Sequence, residues 1–78
     1  MSKIATLKIK DFEYVFRKQS FNLLRQKGSH RIYGHKDGRK VVLPVHKGKT
    51  IKEGLANKII TKDLNISIVE FLNILKNQ

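Results

Sequence analysis

Asp37-Gly38 is the feature that most restricts the folds open to this chain. Both positions tolerate positive φ, which a two-residue hairpin turn requires. Strand-like runs flank the pair: His30-Arg31-Ile32-Tyr33 before it, and Val41-Val42-Leu43-Pro44-Val45 after it. The valines are β-branched and suit a pleated sheet. The sequence therefore predicts two antiparallel strands, His30 to about His35 and Arg39 to Val45. A symmetric turn sets Lys36 against Arg39, Gly34 against Val41, Ile32 against Leu43, His30 against Val45 and Ser29 against His46. Paired residues share a face. Ile32, Val41, Leu43 and Val45 are then expected on the core face, with His30 at its end. A slip of one residue would invert every face.

The remaining elements follow from capping and periodicity. A helix is expected over about Asp11–Gln19, with Asp11 capping the first turn and Phe12, Val15 and Phe16 forming an apolar stripe. Arg17 and Lys18 suit its C-terminal end. Phe21–Gln26 reads as a first short strand, joined to the hairpin by the tight Lys27-Gly28-Ser29 connection. Thr50-Ile51-Lys52-Glu53 matches a capping box, and the helix after it is expected to end near Asp63-Leu64-Asn65. Ser67-Ile68-Val69-Glu70 is a second capping box, with Ile66 placed to staple against Phe71. The predicted order is α-β-β-β-α-α: an α+β domain over residues 1–78, with helices packed on a three-stranded antiparallel sheet.

Composition narrows the function. The chain carries a net charge of +11 on 78 residues. Nine of its 17 lysines and arginines fall between Arg25 and Lys52, where Asp37 is the only acid, so this segment carries +8. A cationic surface can serve solubility alone, but such concentration favours an anionic partner: nucleic acid, an acidic membrane surface or an acidic protein. Cysteine is absent, which rules out disulfides and thiolate metal ligands and fits a reducing cytoplasm. No apolar run approaches the ~20 residues needed to span a bilayer, and the N-terminus has no signal-peptide pattern.

Histidine is the side chain best suited to moving protons near neutral pH. His30 and His46 are expected at the same end of the hairpin, within a cationic segment that attracts phosphate. Each also has an ordinary reading as a strand-end histidine, and His35 beside the turn is expected to be solvated. Tyr33 reads equally as a base-stacking aromatic and as a common exposed sheet residue. Three histidines without cysteine or clustered carboxylates form no expected zinc set. Ser29-His30 lacks the geometry and the orienting acid of a hydrolase pair. Gly48-Lys49-Thr50 matches only the tail of a P-loop, with Leu43 where the first glycine is required.

The run Phe21-x-x-x-Arg25-Gln26-Lys27-Gly28-Ser29-His30-Arg31-Ile32-Tyr33 resembles the HicA (YcfA-like) toxin family. So do Asp37-Gly38-Arg39-Lys40-Val41-Val42-Leu43-Pro44-Val45-His46-x-Gly48-Lys49 and the later Ile51-x-x-Gly54 and Ile59. The likeness extends from about Lys10 to Leu72, and the Gly-Ser-His triplet with a downstream Pro-x-His is its most specific part. Two positions depart from the family pattern. Ser20 stands where a helix-ending glycine is usual, and Glu53-Gly54-Leu55-Ala56 stands where many relatives have Gly-Thr-Leu.

The resemblance implies a fold similar to double-stranded-RNA-binding domains. It also implies a ribosome-independent endoribonuclease acting on mRNA in the cytoplasm, and a HicB-like antitoxin that masks the site. The family's catalytic histidine maps onto His30. Lys27, Gly28, Ser29, Arg31, His46, Lys47 and Lys49 are the candidates for RNA binding or phosphate positioning. No cofactor or metal is expected. The competing reading is a non-catalytic RNA-binding module of the same fold, which accounts equally for charge and architecture.

Overall fold

A computed structural model describes residues 7–45 and 51–77. Its elements are α1 (Ile9–Lys18), β1 (Asn22–Lys27), β2 (His30–Gly34), β3 (Lys40–Pro44), α2 (Glu53–Lys58) and α3 (Ile68–Lys76), with a π-helical turn over Ile59–Asp63 continuing α2. The strands form one antiparallel sheet in the order β1-β2-β3. This is the expected α+β arrangement, like that of double-stranded-RNA-binding domains.

α1 begins two residues earlier than its periodicity suggests. Asp11 is the third helical residue, and its carboxylate accepts the Lys8 amide at 2.8 Å. The C-terminal end is a Schellman motif: the Ser20 amide donates to the Arg17 carbonyl at 3.0 Å and the Phe21 amide to the Phe16 carbonyl at 2.8 Å. Ser20 takes the left-handed conformation (φ 67) that glycine adopts without strain. The accompanying apolar contact is Phe16 against Phe21, with ring centroids 6.0 Å apart.

The hairpin departs from the expected register by one residue. β2 and β3 pair Tyr33 with Val41, Ile32 with Val42, Arg31 with Leu43 and His30 with Pro44. The connection holds three residues, Lys36-Asp37-Gly38, because the His35 amide donates to the Arg39 carbonyl at 2.9 Å. The Gly38 amide closes the preceding turn onto the His35 carbonyl at 2.9 Å, and Gly38 sits at φ 100. This is a turn followed by a bulged glycine, one residue longer than a two-residue loop. Tyr33, Val41 and Leu43 therefore face the helices, while Ile32, Val42 and Pro44 face away with His30. The expected core positions of Val41 and Leu43 hold. Those of Ile32 and of Val45, which is only half-buried, do not.

The helices cover one sheet face. Phe12, Val15 and Phe16 of α1 are fully buried, with Phe12 against Phe71 of α3 (5.1 Å between centroids) and Phe16 against Tyr33 (4.8 Å). In the π turn the Leu64 amide reaches the Ile59 carbonyl at 2.8 Å. Residues five apart are then stacked, so Leu64 joins Ile59 and Ile60 in the core, each with no exposed surface. Arg39 donates to the Leu64 carbonyl at 2.5 Å and ties the hairpin to this turn. Ser67 caps α3 as expected, accepting the Glu70 amide at 3.0 Å. Thr50, the residue expected to cap α2, lies outside the described residues.

Replacing Ser20 by glycine removes the left-handed strain of a side-chain-bearing residue and restores some unfolded-state freedom. The net expectation is a gain of about 0.5–1 kcal/mol, read as a thermal midpoint several degrees higher. An unchanged or lower midpoint contradicts this account of the helix end.

Candidate nucleic-acid site on the open sheet face

The β1–β2 connection builds the site. Lys27 pairs with His30, leaving Gly28 and Ser29 as a two-residue loop. Only Gly28 has positive φ (59), the pattern of a type II′ hairpin turn with glycine first. Space above it is open, since a Cβ there would meet nothing within 4 Å. Gln26 braces the loop through its Nε2, which donates to the Gly28 carbonyl at 3.1 Å.

His30 opens β2 on the face away from the helices. It is exposed and lines a shallow depression with Lys27, Gly28, Ser29, Ile32 and Val42. Lys27 and Arg25 of β1 sit opposite His30 and Ile32. Lys27 and Arg25, with Lys40 on β3, have no acidic partner among the described residues. The face therefore presents cations around an aliphatic floor, with a titratable imidazole at one end.

The other predicted site residues fall differently. Ser29 is opposite Val45, not His46: its carbonyl accepts the Val45 amide at 2.6 Å. His46, Lys47 and Lys49 lie outside the described residues, although the chain enters that segment beside the Gly28-Ser29 loop. Arg31 is on the helix-facing side, where its guanidinium pairs with Glu13 of α1 and its Nε donates to Gln26 at 3.2 Å. Tyr33 is also turned inward and cannot stack on a base. His35 is packed rather than solvated: its side chain is 13% exposed, and its ring lies 5.1 Å from that of Phe21.

Sequence reasoning overlooked Glu13. Its carboxylate accepts from both Arg31 and the Tyr33 hydroxyl (2.5 Å). Burial of the phenol, and then its bond to the Glu13 carboxylate, push the Tyr33 pKa up to about 12. Glu13 also raises the Arg31 pKa, first through their hydrogen bond and then through charge. Nothing in the local sequence pairs Glu13 with residues 18 and 20 positions away; only the register does so. In the turn, the Arg39 amide and then its guanidinium hold the Asp37 carboxyl below the usual carboxylate range.

Two measurements check this cluster. Glu13→Ala leaves the buried Tyr33 hydroxyl without its acceptor and is expected to cost about 1–3 kcal/mol by chemical denaturation; a neutral result contradicts it. Tyr33 ionises less readily folded than unfolded. Its contribution to stability is therefore complete below the ordinary tyrosine range and is lost as pH rises through about 12. The difference between tyrosinate titrations of the native chain and Tyr33→Phe should have its midpoint near 12; a midpoint near 10 would show an unburied phenol.

Among curated proteins, none matches this chain. A family model described as the HicA toxin of bacterial toxin-antitoxin matches residues 9–66. That span runs from the first residue of α1 to the residue before the Ser67 cap, and includes the whole sheet and the Gly28-Ser29-His30 loop. α3 lies beyond it, yet Phe71 completes the core against Phe12. With most of its length covered by that match, the chain belongs to the HicA family of bacterial toxins from toxin–antitoxin systems.

Proposed function

We propose that this toxin is a ribosome-independent, metal-independent endoribonuclease that cleaves mRNA in the cytoplasm, with His30 as its catalytic histidine. The observation that carries this reading is the placement of His30. It is exposed on the open sheet face, beside a glycine loop with clear space above it and a lysine directly opposite. A strand packed between helices would offer a polymer no such access.

His30 takes a proton from a ribose 2′-hydroxyl as that oxygen attacks the adjacent phosphorus, or gives one to the departing 5′-oxygen. Lys27 stabilises the charge gathering on the phosphate oxygens, and the backbone at Gly28 lets the phosphate approach closely. Ser29 is placed to position it from the same loop. His46, Lys47 and Lys49 belong to the proposal as the residues that follow β3 in the sequence. Arg31 contributes from behind, holding the loop through Gln26 rather than meeting phosphate. Attack by the 2′-oxygen gives a 2′,3′-cyclic phosphate and a 5′-hydroxyl, and leaves DNA uncut.

A toxin of this family implies an antitoxin partner. We assign that role to a HicB-like protein that covers the open face and keeps RNA from His30. No described helix is long and apolar enough to cross a membrane.

Purified protein incubated with long single-stranded RNA in EDTA is expected to cleave it. His30→Ala should lose about 100-fold or more of the rate while keeping most of its RNA affinity. Binding by both proteins with cleavage by neither would favour the non-catalytic RNA-binding module. Lys27→Ala is expected to weaken binding evenly across sequences and to reduce the slope of log affinity against log salt by about 0.7. An unchanged slope would remove Lys27 from the phosphate contacts.

A further inference from the structure

Beyond His30 and its loop, the depression has an aliphatic floor to which the proposed chemistry gives no task. Ile32 and Val42 are direct cross-strand partners on the open face. Val42 is 46% exposed although it is flanked in sequence by the buried Val41 and Leu43. At the far end, Leu24, the extra residue of a β1 bulge, lays its side chain across Gly34: a Cβ at that glycine would meet Leu24 Cδ1 at 2.7 Å. The described aliphatic stripe on this face therefore runs from Leu24 through Ile32 and Val42 toward His30.

We infer that Ile32 and Val42 form a subsite for an unpaired nucleobase of the RNA strand whose phosphate lies at Lys27 and Gly28. The inference rests on the ribonuclease reading of this face and adds to it the place where an unpaired base of the substrate sits. Three observations select this occupant. Arg25, Lys27 and Lys40 rim the face and no described acid stands on it, so the charge suits a polyanion. Ile32 is two residues along β2 from His30, about 7 Å between Cα atoms, a separation that one nucleotide can bridge from base to phosphate. Finally, the floor is apolar and open to solvent at Val42, and can meet the π-face of a base only if that base has left its stack. Phe12, Phe16, Phe21, Phe71 and Tyr33 are all buried, so no aromatic among them serves as a platform here. Contact through aliphatic groups is weaker than stacking on a ring and tolerates every base.

Position 42 allows a test in both directions. Val42→Phe supplies the missing ring at an exposed strand position. Val42→Thr keeps the β-branched shape and replaces a methyl by a hydroxyl. Affinity is measured for a short 2′-O-methyl oligoadenylate, which cannot be cleaved, and for the same backbone without bases. Thermal midpoints confirm that both variants are folded.

Val42→Phe should bind the oligoadenylate at least about fivefold more tightly, the lower range of base–aromatic stacking. Val42→Thr should bind it roughly two- to fourfold more weakly. Neither should change affinity for the abasic strand. Equal responses on both strands, no response on either, or no binding of oligoadenylate by the native chain overturns the proposal. Variants that lose antitoxin binding while RNA affinity stays constant assign the stripe to the protein partner and overturn it equally. Failure of the native chain to cut all-ribose RNA would defeat the nuclease reading without altering these affinities, so the two failures are distinguishable.

Discussion

The turn over Lys36-Asp37-Gly38 decides what every residue of the central hairpin can do. Asp37 accepts the Arg39 amide at 2.9 Å and the Arg39 Nε at 2.8 Å, which fixes the bend. Gly38 then takes up a φ of 100 that a side chain would resist. The loop holds three residues, and side chains alternate strictly along a strand, so this odd count sets the parity of the sheet. Tyr33, Val41 and Leu43 go to the helices; His30, Ile32 and Val42 go to the open face. With the loop one residue shorter, His30 would pair onto the face that packs against α1 and the π turn, closed to any polymer. Access to the imidazole thus depends on a turn at the opposite end of the hairpin.

The same parity sorts the charges. The two arginines on the helix-facing side, Arg31 and Arg39, are half-buried, and each has a carboxylate partner. Arg31 pairs with Glu13, while Arg39 pairs with Asp37 and caps the Leu64 carbonyl. These contacts join α1 to β2 and the hairpin turn to the π turn, so their work is structural. The cations of the open face keep their hydration and have no described acid to leave. They can meet phosphate without breaking an internal ion pair. For a small toxin with a large positive charge, this division separates residues that hold the fold from those free to hold a ligand.

Much of this was legible in the sequence because local signals are strong there. The stripe of Phe12, Val15 and Phe16 needs no tertiary information, nor does the Ser67 cap, and the Gly28 loop declares itself. Register was not legible. Val41-Val42-Leu43 is apolar throughout, so it fits a sheet equally well with Val42 inside or outside, and Asp-Gly serves two-residue and three-residue turns alike. That single ambiguity misassigned Ile32, sent Arg31 toward phosphate and left Tyr33 open to base stacking. The π turn was hidden for a different reason. Ile59, Ile60 and Leu64 are compatible with an ordinary helix, and only the packing that buries all three shows the widened turn. His35 looked solvated because its neighbours in sequence are polar; the ring that covers it, Phe21, comes from before β1.

The candidate site gains rigidity from the side of the sheet it does not face. Glu13 on α1 holds the guanidinium of Arg31, the Arg31 Nε donates to Gln26, and Gln26 in turn donates to the Gly28 carbonyl. This relay runs from α1, whose apolar face packs into the core, to the backbone of the loop beside His30. A two-residue loop has few internal contacts, and Gly28 has none through a side chain, so left alone it would sample several conformations. The relay and the Ser29–Val45 backbone bond at 2.6 Å restrict it from both flanks. Proton transfer falls off steeply when the reacting groups are misplaced by an ångström. On the proposed ribonuclease reading, Glu13 and Gln26, neither of which reaches the open face through a described contact, act as positioning residues for the loop beside His30.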